Sequence, residues 1–118
     1  MNLQKINIQE GSRIEYLSKE LLFLAQSGQP YRGTLYVNFT SSGESFHLPD
    51  FKKYITSLRS QKFYAEDIAF EIYKTITNAI HTESLGIVVD LSARGGIQQR
   101  IAYGTAFKVT QKENIFQI

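Results

Sequence analysis

Isoleucine recurs at every fourth position through Ile68, Ile72, Ile76 and Ile80. That spacing keeps the four side chains on one side of a helix, with Ala69 and Ala79 beside them. Glu66, Asp67 and Glu71 crowd the start of the segment, where acidic groups suit the helix dipole. The pattern predicts a helix over residues 65–81 whose apolar face must pack on something. Residues 85–91 (LGIVVDL) follow, a short apolar run rich in β-branched side chains, and predict a central strand.

The rest of the chain supplies partners for that pair. Pro49 and Asp50 open an earlier helix, and Phe51, Tyr54, Ile55 and Leu58 make its apolar face. A polar interruption over residues 59–62 separates it from the isoleucine helix. Residues 33–39 alternate, with Leu35, Val37 and Phe39 on one side and Thr34, Tyr36 and Asn38 on the other, as in a half-buried strand. The turn Ser41-Ser42-Gly43 then predicts a hairpin with a return strand over residues 44–47. After the break at residues 92–96, residues 97–109 predict a last strand bent near Gly104. Ile6 and Ile8 fit a short strand. Ile14, Leu17, Leu21, Leu22 and Leu24 fit a helix over residues 13–25, ended by Ser27-Gly28-Gln29-Pro30. The tail, residues 110–118, is polar until Ile115 and Phe116 and is expected to fray or dock.

The expected fold is α+β: a four-stranded antiparallel sheet in the order ββααββ, with two helices on one face. One domain spans residues 1–118, with residues 1–26 as an N-terminal extension. Such a sheet leaves two open edges, and joining subunits edge to edge into a barrel would cover them.

Composition mainly excludes. Net charge is +2, too small to indicate a nucleic-acid partner. No apolar run approaches the roughly 20 residues of a membrane helix, and residues 1–10 lack a signal-peptide stretch, so a cytoplasmic location is expected. The chain has no cysteine, which removes disulfides, thiolate zinc sites and any cysteine nucleophile. His47 and His81 stand without companion ligands, so no metal is expected.

Several segments in register resemble one family. Ser27-Gly28-Gln29-Pro30 with the strand Gly33-Thr34-Leu35-Tyr36-Val37, Ser57-Leu58-Arg59 with Phe63-Tyr64-Ala65-Glu66-Asp67, and Arg94-Gly95-Gly96-Ile97 are similar to motifs of the QueF-type 7-cyano-7-deazaguanine (preQ0) nitrile reductases of queuosine biosynthesis. The likeness runs from about residue 22 to residue 104. It implies the tunnelling fold (T-fold), an oligomeric barrel, and a deazaguanine held by a glutamate and an aromatic ring. In that family a cysteine attacks the nitrile to form a thioimide, an aspartate donates a proton and NADPH supplies hydride.

Carried over position by position, the cysteine falls on Leu24 and the aspartate on Tyr31. The family's Glu-Ser-Lys-Ser cofactor segment falls on residues 47–50, and only Phe51, Lys52 and Tyr54 beyond it keep its character. The histidine before the binding glutamate falls on Ala65, while Glu66 remains. The resemblance therefore implies a purine or pterin-like ligand anchored by Glu66, without the reductase machinery. NADPH is implied by the resemblance alone, and no cofactor is expected. The missing cysteine also argues against zinc-dependent GTP cyclohydrolase and against amidinotransferase variants of the family.

Each candidate has a plainer role beside the ligand-binding one. Glu66 could be a solvated dipole partner, or could accept hydrogen bonds from the ring N–H and amine of a guanine-like edge. Tyr64 could be core, or could stack on a heterocycle. Gln29 could be a turn residue, or could bond the ligand. Arg59 and Arg94 could be solvated or salt-bridged, or could meet a ligand phosphate. Gly95 and Gly96 fit a tight turn, and Lys52 and Lys53 a solvated helix face. The expected role is a binding, scaffold or regulatory protein with its ligand at a subunit interface. One alternative is a dihydroneopterin aldolase-like T-fold enzyme using Tyr31, Tyr36, Tyr54 or Lys52. Another is a reductase subunit whose cysteine comes from a partner chain.

Overall fold

The computed structural model describes residues 3–109. The strands are β1 (Lys5–Asn7), β2 (Arg13–Leu24), β3 (Pro30–Ser41), β4 (Glu44–Phe46), β5 (Thr82–Arg94) and β6 (Ile97–Gly104), and the helices are α1 (Leu48–Ser57) and α2 (Ile68–Ala79). The expected tail lies outside the described residues.

A four-stranded antiparallel sheet in the order β2-β3-β5-β6 carries both helices on one face. The α+β reading is therefore observed. Ile68, Ile72 and Ile76 are fully buried, and Ile80 nearly so. They share a core with Leu35, Val37 and Phe39 of β3 and with Leu85, Ile87, Val89 and Leu91 of β5. Alternate residues of those strands point to the other face. There Leu17, Tyr36, Val88 and Ala102 lie side by side across all four strands.

Residues 13–24 form an edge strand, not the expected helix. The apolar spacing misled because β2 is irregular. Ile14 and Tyr16 pack toward the helices, then the register against β3 shifts between Ser18 and Leu21, and Leu21 and Phe23 face the core beyond the shift. A period of two interrupted by extra residues reads as a period between three and four.

The expected hairpin of residues 33–39 with 44–47 is also absent. β3 pairs with β2 and β5, whereas β4 pairs with β1 in a separate two-stranded sheet. β3 is 12 residues long and buries its apolar side under both helices, so it needs long neighbours on both edges; β4 has only three residues. Glu44 of β4 instead ties three segments together. Its carboxylate meets Lys5 at 3.2 Å and accepts the His81 backbone N–H at 2.9 Å, and that backbone bond chiefly lowers its pKa.

The helices fall close to expectation. Pro49 occupies the first turn of α1, and Asp50 accepts the Gln4 backbone N–H at 2.9 Å. A 3-10 turn (Ala65–Asp67) leads into α2, which ends at Ala79. β5 is longer than the apolar run alone suggests, and β6 stops at Gly104 instead of continuing to residue 109. At Gly33 the neighbouring strand leaves no room for a side chain, because a Cβ would collide with the Asp90 carbonyl oxygen.

Phe23 is fully buried. Phe23→Ala should lower the free energy of urea unfolding by about 3–5 kcal/mol. A loss under about 1 kcal/mol would return β2 to the status of a loose extension.

Candidate functional site

The C-terminal end of β2 is joined by main-chain bonds to the segment between the helices. Leu24 donates its N–H to the Gln61 carbonyl at 2.9 Å and accepts the Phe63 N–H at 2.9 Å, forming a parallel bridge opposite Lys62. On its other side Leu24 pairs with Pro30, across the turn closed by an Ala25 N–H bond to the Gln29 carbonyl at 2.7 Å. These bonds bring the 25–29 turn next to residues 61–63, from which the chain runs to Tyr64 and Glu66.

Beneath that junction lies an aromatic stack. Phe23 lies against Tyr31 with ring centroids 5.0 Å apart, and Phe63 meets Phe23 edge-on at 6.1 Å. The Arg94 guanidinium covers the Tyr31 ring at 4.5 Å from its centroid. Arg94 also donates to the Gln29 side-chain oxygen. Gln29 and Tyr31, two positions apart, and the distant Arg94 thus form one unit at the end of the sheet. Among the described residues Arg94 makes no ion pair, so its charge is balanced by a ring face and an amide dipole.

Tyr64 is 63% exposed, which removes the core reading for its ring. Glu66 is exposed in the turn before α2, with Ala65 buried beside it. Arg59 is exposed on the 3-10 turn Leu58–Ser60 and makes no ion pair among the described residues. Sequence reasoning missed Phe23 and Phe63 as builders of this corner. The signal was the alternation of Leu21 and Phe23, masked by the irregular register before them.

Elsewhere, a cavity of about 310 Å³ opens between the irregular part of β2 and α1, lined among others by Tyr16, Ser18, Leu35, Phe51 and Lys52. None of residues 24, 29, 31, 59, 64, 66 and 94 lines it. Tyr54, considered for acid–base work, is buried, and burial pushes its phenol up to about 12 against a smaller opposing contribution from Thr75. Such a group stays protonated through the neutral range and is a poor base. Among the described residues no three acidic, histidine or cysteine side chains cluster to hold a metal, and no helix is long and apolar enough to cross a membrane.

The profile of the QueF-like protein family matches residues 30–109. The NADPH-dependent 7-cyano-7-deazaguanine reductase of Rickettsia felis is 35% identical over 71 residues, which cover 60% of this chain and 25% of that protein. The enzyme of the same name from Sulfurimonas denitrificans is 31% identical over 72 residues, covering 61% of this chain and 58% of that protein. The match therefore spans only a quarter of the Rickettsia enzyme. The apo crystal structure of the archaeosine synthase QueF-Like superposes with a TM-score of 0.69 at 15% identity, over 83% of this chain and 95% of that one. That likeness shows a shared T-fold.

The Tyr31 ring joins Phe23 to Arg94. Tyr31→Leu keeps bulk but loses the stacking and cation–π contacts, and should cost about 1–2 kcal/mol in equilibrium unfolding. An unchanged midpoint would show that the unit adds nothing to stability.

Proposed function

The chain belongs to the QueF-like family, and from that premise we propose that it binds a purine or 7-deazaguanine-like ligand without performing nitrile reduction. The observation that carries the reading is a contrast. Glu66 stands exposed ahead of α2, while the family resemblance assigns Leu24 and Tyr31 to the positions of the nucleophile and the proton donor. Attack on a nitrile carbon needs a thiolate or its equivalent, and a leucine side chain has no lone pair to offer. The chain has no cysteine that another register could supply.

Several features support ligand binding. An exposed carboxylate can accept two hydrogen bonds from the adjacent ring N–H and amine of a guanine-like edge. The exposed Tyr64 ring, two residues away, is available to lie on a flat heterocycle. Among the described residues β6 and, apart from the Leu24 bridge, β2 each leave one edge unpaired. Pairing of these edges between copies would place the ligand at a subunit interface, and the protein would act as a binding, scaffold or regulatory subunit in the cytoplasm.

Calorimetry with 7-cyano-7-deazaguanine, guanine, GTP and a pterin tests this. At least one should bind, and Glu66→Ala should weaken it at least about tenfold, the loss of one or two charge-assisted hydrogen bonds. Absence of binding to all four, or binding indifferent to Glu66→Ala, overturns the reading. NADPH oxidation should show no dependence on the nitrile. Turnover there would overturn the assignment of Leu24 to the nucleophile position.

A further inference from the structure

Gln29 and Arg94 carry an inference about the polarity of this site, and it rests on the ligand-binding reading above. An arginine guanidinium has N–H donors and no acceptor. A glutamine amide can therefore meet it only through its oxygen. Arg94 donates to Gln29 Oε1, which turns the amide nitrogen of Gln29 the other way.

Arg94 is itself held in place, with its guanidinium 4.5 Å from the centre of the Tyr31 ring and that ring stacked on the fully buried Phe23. The Gln29 backbone is held as well: its carbonyl accepts the Ala25 N–H at 2.7 Å, and its N–H meets Ser27 Oγ at 3.4 Å. Gln29 is exposed, and its side-chain nitrogen makes no hydrogen bond with the described residues. Both N–H groups of the amide are thus left without a partner among the described residues, on an exposed side chain of the turn beside residues 61–63.

We propose that Arg94 is a positioning residue that fixes Gln29 as a hydrogen-bond donor toward the ligand. The site then has two opposite demands. Glu66 accepts from donors on one edge of a heterocycle, and Gln29 requires an acceptor on another. A 2-amino-6-oxo ring system meets both. A ring bearing an amino group where Gln29 reaches would set donor against donor and leave both polar groups unpaired once the ligand excludes water, the arrangement by which binding sites discriminate most strongly.

The decisive comparison is Gln29→Glu against Gln29→Ala, with 7-cyano-7-deazaguanine as the calorimetric probe. Gln29→Glu keeps an oxygen for Arg94 but turns the outward group from donor to acceptor. It should bind at least about tenfold more weakly than Gln29→Ala. A second readout uses guanine and 6-thioguanine, which differ only in the acceptor at position 6. The wild-type preference for guanine should fall toward unity in Arg94→Met and return in Arg94→Lys, which restores an N–H donor. A purely structural role for Arg94 would lower both affinities together and leave their ratio unchanged.

Equal or tighter binding by Gln29→Glu than by Gln29→Ala, or an unchanged ratio in Arg94→Met, overturns the proposal. If Glu66→Gln still weakens binding in that case, only the role of Gln29 and Arg94 falls. If the wild type binds none of these probes, or Glu66→Gln has no effect, the ligand-binding reading falls and this proposal with it.

Discussion

The isoleucine face of α2 can leave water only against a surface at least as long as the helix, and the two central strands supply it. β3 and β5 lie side by side with their apolar residues on one face, and Ile68, Ile72 and Ile76 are fully buried there. Each of those side chains contributes roughly 1.5–3 kcal/mol by burial, so the helix and the strand pair hold each other. β2 and β6 extend the sheet from this centre, and α1 covers the part of β3 and β2 that α2 does not reach. The corner containing Gln29, Tyr31 and Arg94 is built where the ends of β3 and β5 meet.

That centre was legible in the sequence because its periods are regular. The isoleucine spacing placed α2, the proline and aspartate placed the start of α1, and the alternation of Leu35, Val37 and Phe39 placed the middle of β3. What misled was local. The register shift in β2 brings apolar residues from both faces into one apparent helical stripe. The Ser41-Ser42-Gly43 turn is real, but the strand after it belongs to a second small sheet. Turn chemistry records that the chain reverses; it does not record which strand is long enough to be the neighbour.

The corner was only partly legible. Family likeness pointed to Glu66, Tyr64, Gln29, Arg59 and Arg94, and of these the structure joins Gln29 directly to Arg94. Tyr31 entered the sequence reading as the residue standing where an acid is missing. Its stacking between Phe23 and Arg94 depends on contacts across more than sixty positions of the chain, and no local pattern encodes them. The partner that Tyr31 offers Arg94 is a ring face, with no negative charge to form an ion pair. Arg94 consequently keeps its positive charge uncompensated by any carboxylate among the described residues.

The pairing of β3 with β5 has a consequence for how the chain reaches this state. Both outer pairs, β2 with β3 and β5 with β6, close over short turns. The central joint pairs Gly33 with Leu91 and so closes a loop containing both helices. Loop-closure entropy opposes that step until the isoleucine face is covered, and topologies dominated by such distant pairings fold slowly. The two hairpins are in this sense halves that the helices must deliver to one another, and the seam between them is the long-range closure of the sheet.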